Sequence, residues 1–145
     1  MIAITQLSSV RNPCIKKMTK IPEELNYTKS HEWVSVHAGT AIVGITDHAQ
    51  SELTDIVYVE LPEVGRTYAS GEQCAVVESV KTASDIYAPL GGEVLAVNKD
   101  LEAAPEKVNE DPYKTGWFFK IKLSGEPDLS GLLNSSSYSS EIEGV

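Results

Sequence analysis

Short apolar runs, broken at close intervals by glycine and proline, constrain this chain more than any other feature of its sequence. Trp33, Val34 and Val36 lead to a turn at Ala38-Gly39, and Ala41–Ile45 follows as a second run. Val57, Val59 and Leu61 alternate with Tyr58 and Glu60, the period of two that predicts a half-buried strand, and Pro62 and Gly65 end it. Cys74–Glu78 and Ser84–Ala88 are strand candidates on either side of Ser79–Ala83, and Glu93–Val97 is another after Gly91-Gly92. In Trp117–Leu123 the alternation sends Trp117, Phe119, Ile121 and Leu123 to one face and Lys120 and Lys122 to the other. Helical signals are brief. They cover 47–53 with Asp47 as its cap, 100–110 interrupted by Pro105, and a turn or two over 128–133. The pattern predicts a mainly β chain, an antiparallel sandwich or small barrel with short peripheral helices.

The length of 145 residues suits one domain and leaves no room for a two-domain cofactor enzyme. A net charge of −9 argues against nucleic-acid binding, which needs a concentrated basic face. That charge is uneven. Residues 1–17 hold Arg11, Lys16 and Lys17 and no acid, +3 in all, which leaves 9 basic against 21 acidic residues, −12, on 18–145. Residues 1–17 therefore read as a transit-like leader or an artificial remnant, 18–134 as the folded domain, and the serine-rich 135–145 as a loose tail. No apolar stretch approaches the length of a membrane span. Cys14 and Cys74 lack CxxC spacing and suit a reducing compartment, and Cys74, beside an apolar run, reads as a small buried hydrophobe.

No GxGxxG, P-loop or GxSxG element occurs, so nucleotide binding and the common hydrolase nucleophile lack their local chemistry. The informative segment is Glu78-Ser79-Val80-Lys81-Thr82-Ala83-Ser84-Asp85. Its apolar flanks predict two antiparallel strands with Lys81 at the hairpin tip, although no Asn-Gly or Asp-Gly dipeptide marks the turn. On spacing alone this is an ordinary exposed lysine.

Several motifs in order change its weight. Tyr27–Trp33, Gly44–Gln50, Val59-Glu60-Leu61-Pro62, Glu78–Lys81 with Ser84, Pro89 and Gly92, and Gly116-Trp117 with Lys120-Ile121 together make the chain resemble the glycine cleavage H-protein family. The likeness runs from about residue 24 to about 133. It implies a lipoyl-domain-like fold, a flattened antiparallel barrel-sandwich hybrid with the carrier lysine at a hairpin tip. It also implies a non-catalytic carrier with one lipoic acid joined to Lys81 through an amide. The acyl arm ends in a ring disulfide that an enzyme can open and another re-form.

The partners that the resemblance implies are glycine decarboxylase, which loads an aminomethyl group, an aminomethyltransferase, which takes the one-carbon unit, and dihydrolipoamide dehydrogenase, which reoxidises the dithiol. A lipoate-attaching enzyme would read Glu78 and Ser79 beside the lysine. Ser30, Glu32, His48 and Asp85 are the residues expected to line a cleft sheltering the loaded arm, with Glu32 first in line to pair the amine. The carrier is expected to be a monomer in the bacterial cytoplasm, or in the mitochondrial matrix if residues 1–17 belong to a transit peptide.

Other readings are weaker on chemical grounds. His31 and His48 with Glu32, Asp47 and Asp55 fit no HExxH or i, i+4 histidine spacing for a metal. His31 and Glu32 are adjacent in an expected strand and would face opposite ways. Val80-Lys81-Thr82 differs from the Asp-Lys-Ala or Met-Lys-Met usual in 2-oxo-acid dehydrogenase lipoyl domains and biotinyl carriers. A Schiff-base lysine needs a desolvated pocket, which a hairpin tip near Glu78 and Asp85 does not offer. A relative that relays lipoate rather than serving glycine breakdown stays open, because it would share the lysine.

Overall fold

The computed structural model describes residues 20–123, 125 and 129–143; the expected leader at 1–17 lies outside them. Among the described residues nine strands form two antiparallel sheets: β1 (Asn26–Tyr27), β2 (Glu32–His37), β3 (Thr40–Ile45), β4 (Ile56–Glu60), β5 (Thr67–Tyr68), β6 (Gln73–Ser79), β7 (Ala83–Tyr87), β8 (Gly92–Val97) and β9 (Phe119–Leu123). The larger sheet has the order β1-β2-β3-β9-β8-β5 and the smaller β4-β6-β7. Of the two architectures open from sequence, the structure is the sandwich, since neither sheet closes on itself. Helices are peripheral, as expected: α1 (Asp47–Leu53), the single turns α2 (Asp100–Ala103) and α3 (Lys107–Glu110), and α4 (Ser135–Glu143). No helix among the described residues is long and apolar enough to cross a membrane.

The main core lies between the sheets. Val34, Val43, Ile45, Val94, Phe119 and Ile121 from the larger meet Ile56, Val59, Val77 and Ile86 from the smaller, all of them buried. Each such side chain contributes about 1.5–3 kcal/mol on leaving water. A second cluster of Leu25, Tyr27, Trp33 and Tyr138 covers the outer face of the β1–β2 edge. Both faces of β2 are therefore covered, and its Glu32, Trp33 and Val34 are all buried.

Five local expectations change. Residues 135–143 are not loose: Asn134 caps α4 by accepting the Ser137 N–H at 2.8 Å, and wholly buried Tyr138 anchors the helix. Residues 129–133 form no helix, and Leu133 instead exchanges both backbone hydrogen bonds with Tyr27 at 2.8 and 2.7 Å. The cap of α1 is Thr46, whose hydroxyl accepts the Ala49 N–H, while Asp47 sits in the first turn. Val57 leaves the buried face, because the β4–β6 register shifts between Ile56 and Tyr58 and turns both Val57 and Tyr58 outward. Trp117 precedes β9 and joins the second cluster, and Phe118 is wholly buried in its stead.

Gly44 shows how tightly the second cluster is built. A Cβ there would lie 2.6–2.8 Å from the Trp33 indole, whose Nε1–H donates to the Pro112 carbonyl at 2.9 Å. Gly44→Ala is expected to displace the indole and destabilise the fold by about 1–3 kcal/mol, read as a lower urea midpoint. An unchanged midpoint would show that the indole moves aside freely.

Candidate functional site

Antiparallel β6 and β7 pair through Glu78↔Ala83, Val77↔Ser84 and Val76↔Asp85, and put Lys81 at the exposed tip. The turn closes without glycine because Ser79 supplies the bonds. Its N–H donates to the Thr82 carbonyl at 2.7 Å, and its Oγ accepts from the N–H of Lys81 at 3.2 Å and of Thr82 at 3.1 Å. A serine hydroxyl stands in for backbone here, the ST-turn device. The Val80 N–H donates to the Asp55 carbonyl at 3.1 Å, which ties the tip to the start of β4. Ser79 is almost buried and works on the turn from within; Glu78 is exposed beside it.

Below the tip, a cleft of about 130 Å³ opens between the sheets, lined by Ser30, His31, Ile45, Glu52, Ser84 and Ile86 among others. Of the expected cleft residues, Ser30 lines it. Glu32 stands behind Ser30, wholly buried: Oε1 accepts the hydroxyls of Thr28 at 2.5 Å and Ser30 at 2.6 Å, and Oε2 accepts the Tyr87 N–H at 3.1 Å. Its carboxylate thus spans from β2 to the edge strand β7. His48 sits on α1 with its ring 4.9 Å from that of His31. Asp85 does not join them: Ser84 and Ile86 face the cleft, so alternation turns Asp85 to the exposed outer side of β7.

His31 enters the site unexpectedly. It lies before β2 rather than in it, with φ 75°, a left-handed conformation that histidine tolerates better than most residues. Its Nδ1 lies 2.8 Å from the Tyr138 hydroxyl, which is in turn 2.7 Å from Thr46 Oγ1. Burial, reinforced by His48, lowers the His31 pKa below its ordinary value, against the opposing pull of Glu52 and Glu141. No spacing rule joins residues 31, 46 and 138; the only sequence hint is Tyr138 and Ile142, four apart on one helix face.

Cys74 is buried, with its thiol pushed up to about 12 by burial and by the charges of Glu32 and Glu72. It is the small hydrophobe the sequence suggested. The described residues bring together no metal-holding cluster of His, Cys, Asp and Glu. A larger groove of about 380 Å³ runs along the outer face of the larger sheet, past Trp33, Tyr113, Trp117 and Lys120. It shares no residue with the hairpin or the cleft, and size alone gives it no claim on the chemistry.

The chain is similar to known proteins. The family model described as Glycine cleavage H-protein matches residues 25–144. A glycine cleavage system H protein of Aeromonas hydrophila is 54% identical over 127 residues, covering 87% of this chain and 98% of the relative. Those of Pseudoalteromonas translucida and Neisseria meningitidis are 57% identical over 127 residues and 58% over 124, covering 87% and 85% of this chain and 98% and 97% of theirs. The crystal structure of a glycine cleavage system H protein from Mycobacterium marinum superposes with a TM-score of 0.76 at 38% identity, covering 86% of this chain and all of that one.

Ser79→Ala is expected to speed amide hydrogen exchange at Lys81 and Thr82 while costing about 1 kcal/mol or less of global stability. Unchanged exchange there would mean that the hydroxyl does not hold the turn. Glu32→Ala leaves the Tyr87 N–H without its acceptor and is expected to cost about 1–3 kcal/mol in urea unfolding. Because the folded state favours neutral His31, its contribution is complete above about pH 6.5 and is lost as pH falls from there towards the lowered folded value. The urea midpoint should therefore drop more steeply between pH 7 and pH 5.5 in the parent than in His31→Asn, and parallel curves would contradict this.

Proposed function

The chain belongs to the glycine cleavage H-protein family, and on that premise we propose that it is the lipoyl-lysine carrier of a glycine cleavage system, modified at Lys81. In this reading it carries the aminomethyl group from glycine decarboxylase to an aminomethyltransferase, and afterwards presents the dithiol to dihydrolipoamide dehydrogenase. The observation that carries the reading is the exposed Lys81 amine at a hairpin tip held from within by Ser79.

The residues present fit a lipoyl group. An acyl arm needs a primary amine that an attaching enzyme can reach, and Lys81 is exposed with exposed Val80 and Thr82 on either side. It also needs a resting place. The cleft begins at Ser84, the second residue of β7 and three residues on from Lys81. When attached, the lipoyl group supplies a ring disulfide that can open to take a one-carbon fragment and be re-formed by oxidation.

The chain's own residues do the rest. Ser79 fixes the direction in which Lys81 leaves the sheet, and exposed Glu78 offers the attaching enzyme a charge beside it. Ile45, Ile86 and Leu53 give the cleft apolar walls that keep water from a labile occupant. Ser30 offers a hydroxyl at its surface, with the Glu32 carboxylate behind supplying negative charge that favours an ammonium. His48, its ring 4.9 Å from that of His31, is not among the residues lining the cleft, and Asp85 belongs with Glu78 to the outer face that an enzyme would meet. The −12 carried by residues 18–145 suits encounters with several large partners, where charge sets rate more than affinity. The bacterial origin of the relatives favours a cytoplasmic carrier.

Intact-mass analysis after co-expression with a lipoate ligase is expected to show one lipoyl addition, absent in Lys81→Ala. An unmodified parent chain, under conditions that modify a known lipoyl domain, would overturn the proposal.

A further inference from the structure

Between α1 and β4 the backbone takes a course that threonine resists. Thr54 has φ 64° and ψ −145°, at the edge of a region essentially reserved to glycine, and its β-branched side chain adds to the strain. Its N–H still closes α1 on the Gln50 carbonyl at 2.9 Å, and its hydroxyl donates to the Leu53 carbonyl. Neither bond fixes where the Thr54 carbonyl points. Asn109 on α3 does. Its Nδ2 donates to the Thr54 carbonyl at 2.8 Å and to Gln50 Oε1 at 2.9 Å, and its Oδ1 accepts the Ile56 N–H at 2.9 Å. These directions are forced. A backbone N–H can only donate and a carbonyl only accept, which orients the Asn109 amide, and Gln50 Nε2 is already given to the Asp47 carboxylate at 2.7 Å. Between the two backbone groups so held lies Asp55, whose carbonyl takes the Val80 N–H of the hairpin tip at 3.1 Å.

We propose that Asn109 is a positioning residue for lipoyl attachment: it keeps Thr54 in its strained conformation, holds the Asp55 carbonyl against the Val80 N–H, and so fixes the tip from which Lys81 meets the attaching enzyme. The proposal rests on the carrier reading for the enzyme, while the clamp is a property of the chain alone. Two holds then act on the tip. Ser79 closes the turn internally, and the Asp55–Val80 bond sets the closed turn against the rest of the sandwich. If Thr54 relaxed to an ordinary extended or helical conformation, the chain direction at Asp55 would change and carry that carbonyl off Val80. The tip would then swing as a unit, and an enzyme binding it would have to order it first.

Amide hydrogen exchange on the full, unlipoylated chain reads the clamp. Asn109→Ala is expected to speed exchange at Val80 on the order of tenfold, the scale of one strained residue released, with Lys81 and Thr82 close to the parent. Thr54→Gly removes the strain at its source, so the double variant Asn109→Ala, Thr54→Gly should recover most of the Val80 protection. Unchanged Val80 exchange in a folded Asn109→Ala overturns the proposal, and so does a double variant that is no better protected. If Asn109→Ala fails to fold, Thr54→Gly alone decides. Its urea midpoint is expected to rise, although glycine loosens the unfolded chain, and a midpoint no higher than the parent's overturns the proposal.

Initial rates of lipoylation by a lipoate ligase, read by intact mass at several chain concentrations, give the second arm. Asn109→Ala is expected to raise the KM for the chain several-fold with kcat near the parent's, and the double variant to bring it back. Gly44→Ala, destabilised away from the tip, is the control and should keep the parental KM. A parental KM in Asn109→Ala, or one raised as much in Gly44→Ala, overturns the proposal. Failure of the carrier reading would appear separately, as absence of the lipoyl mass in the parent, with the clamp already read by exchange.

Discussion

A carboxylate with no solvent exposure is the constraint around which this sandwich is arranged. Burying an ionised group is costly unless it is hydrogen-bonded, and Glu32 meets that demand with partners from two places. Thr28 and Ser30 come from the turn that leads into β2, and the Tyr87 N–H comes from β7, an edge strand with one row of backbone groups unpaired within its own sheet. One side chain thus joins the larger sheet to the hairpin that presents Lys81. It also forms the floor behind Ser30, so the cleft and the tip are held in a fixed relation by the same carboxylate.

Around that join, the hairpin and the cleft would divide the labour of the carrier proposed above. The tip must be reachable, and Ser79 makes it rigid with a hydroxyl where a glycine turn would have been looser. The cleft must be sheltered, and α1 and α4 supply its second layer through the Thr46–Tyr138–His31 chain. Nothing in this division needs an activated nucleophile in the protein. The buried thiol of Cys74 is held far from the ionised form in which it would react.

Much of this was legible in the sequence, because alternation and turn residues are local signals. The β2–β3 hairpin was marked by Ala38-Gly39, which both adopt the positive φ that a two-residue hairpin loop requires. The β6–β7 hairpin could be read from its apolar flanks, and Lys81 gained meaning only from the motifs around it. What failed was non-local. Val57 fits the alternation, but a register shift in the pairing with β6 turns it outward. The serine run at 135–140 hides a helix, because one tyrosine docked on Tyr27 outweighs poor helix propensity. His31 looked like a strand residue facing away from Glu32, and a left-handed backbone put it in the cleft wall instead. The role of Glu32 as a bridge depends on Tyr87, far along the chain, and no spacing rule links the two.

The central claim is that this chain carries the intermediate of glycine breakdown rather than lipoate alone. Exchange of labelled bicarbonate into glycine, catalysed by glycine decarboxylase in the presence of the chain, tests it most directly. The account predicts exchange that depends on the lipoylated chain and vanishes with Lys81→Ala. A chain fully lipoylated by mass that supports no exchange, beside a known H protein that does, would contradict it.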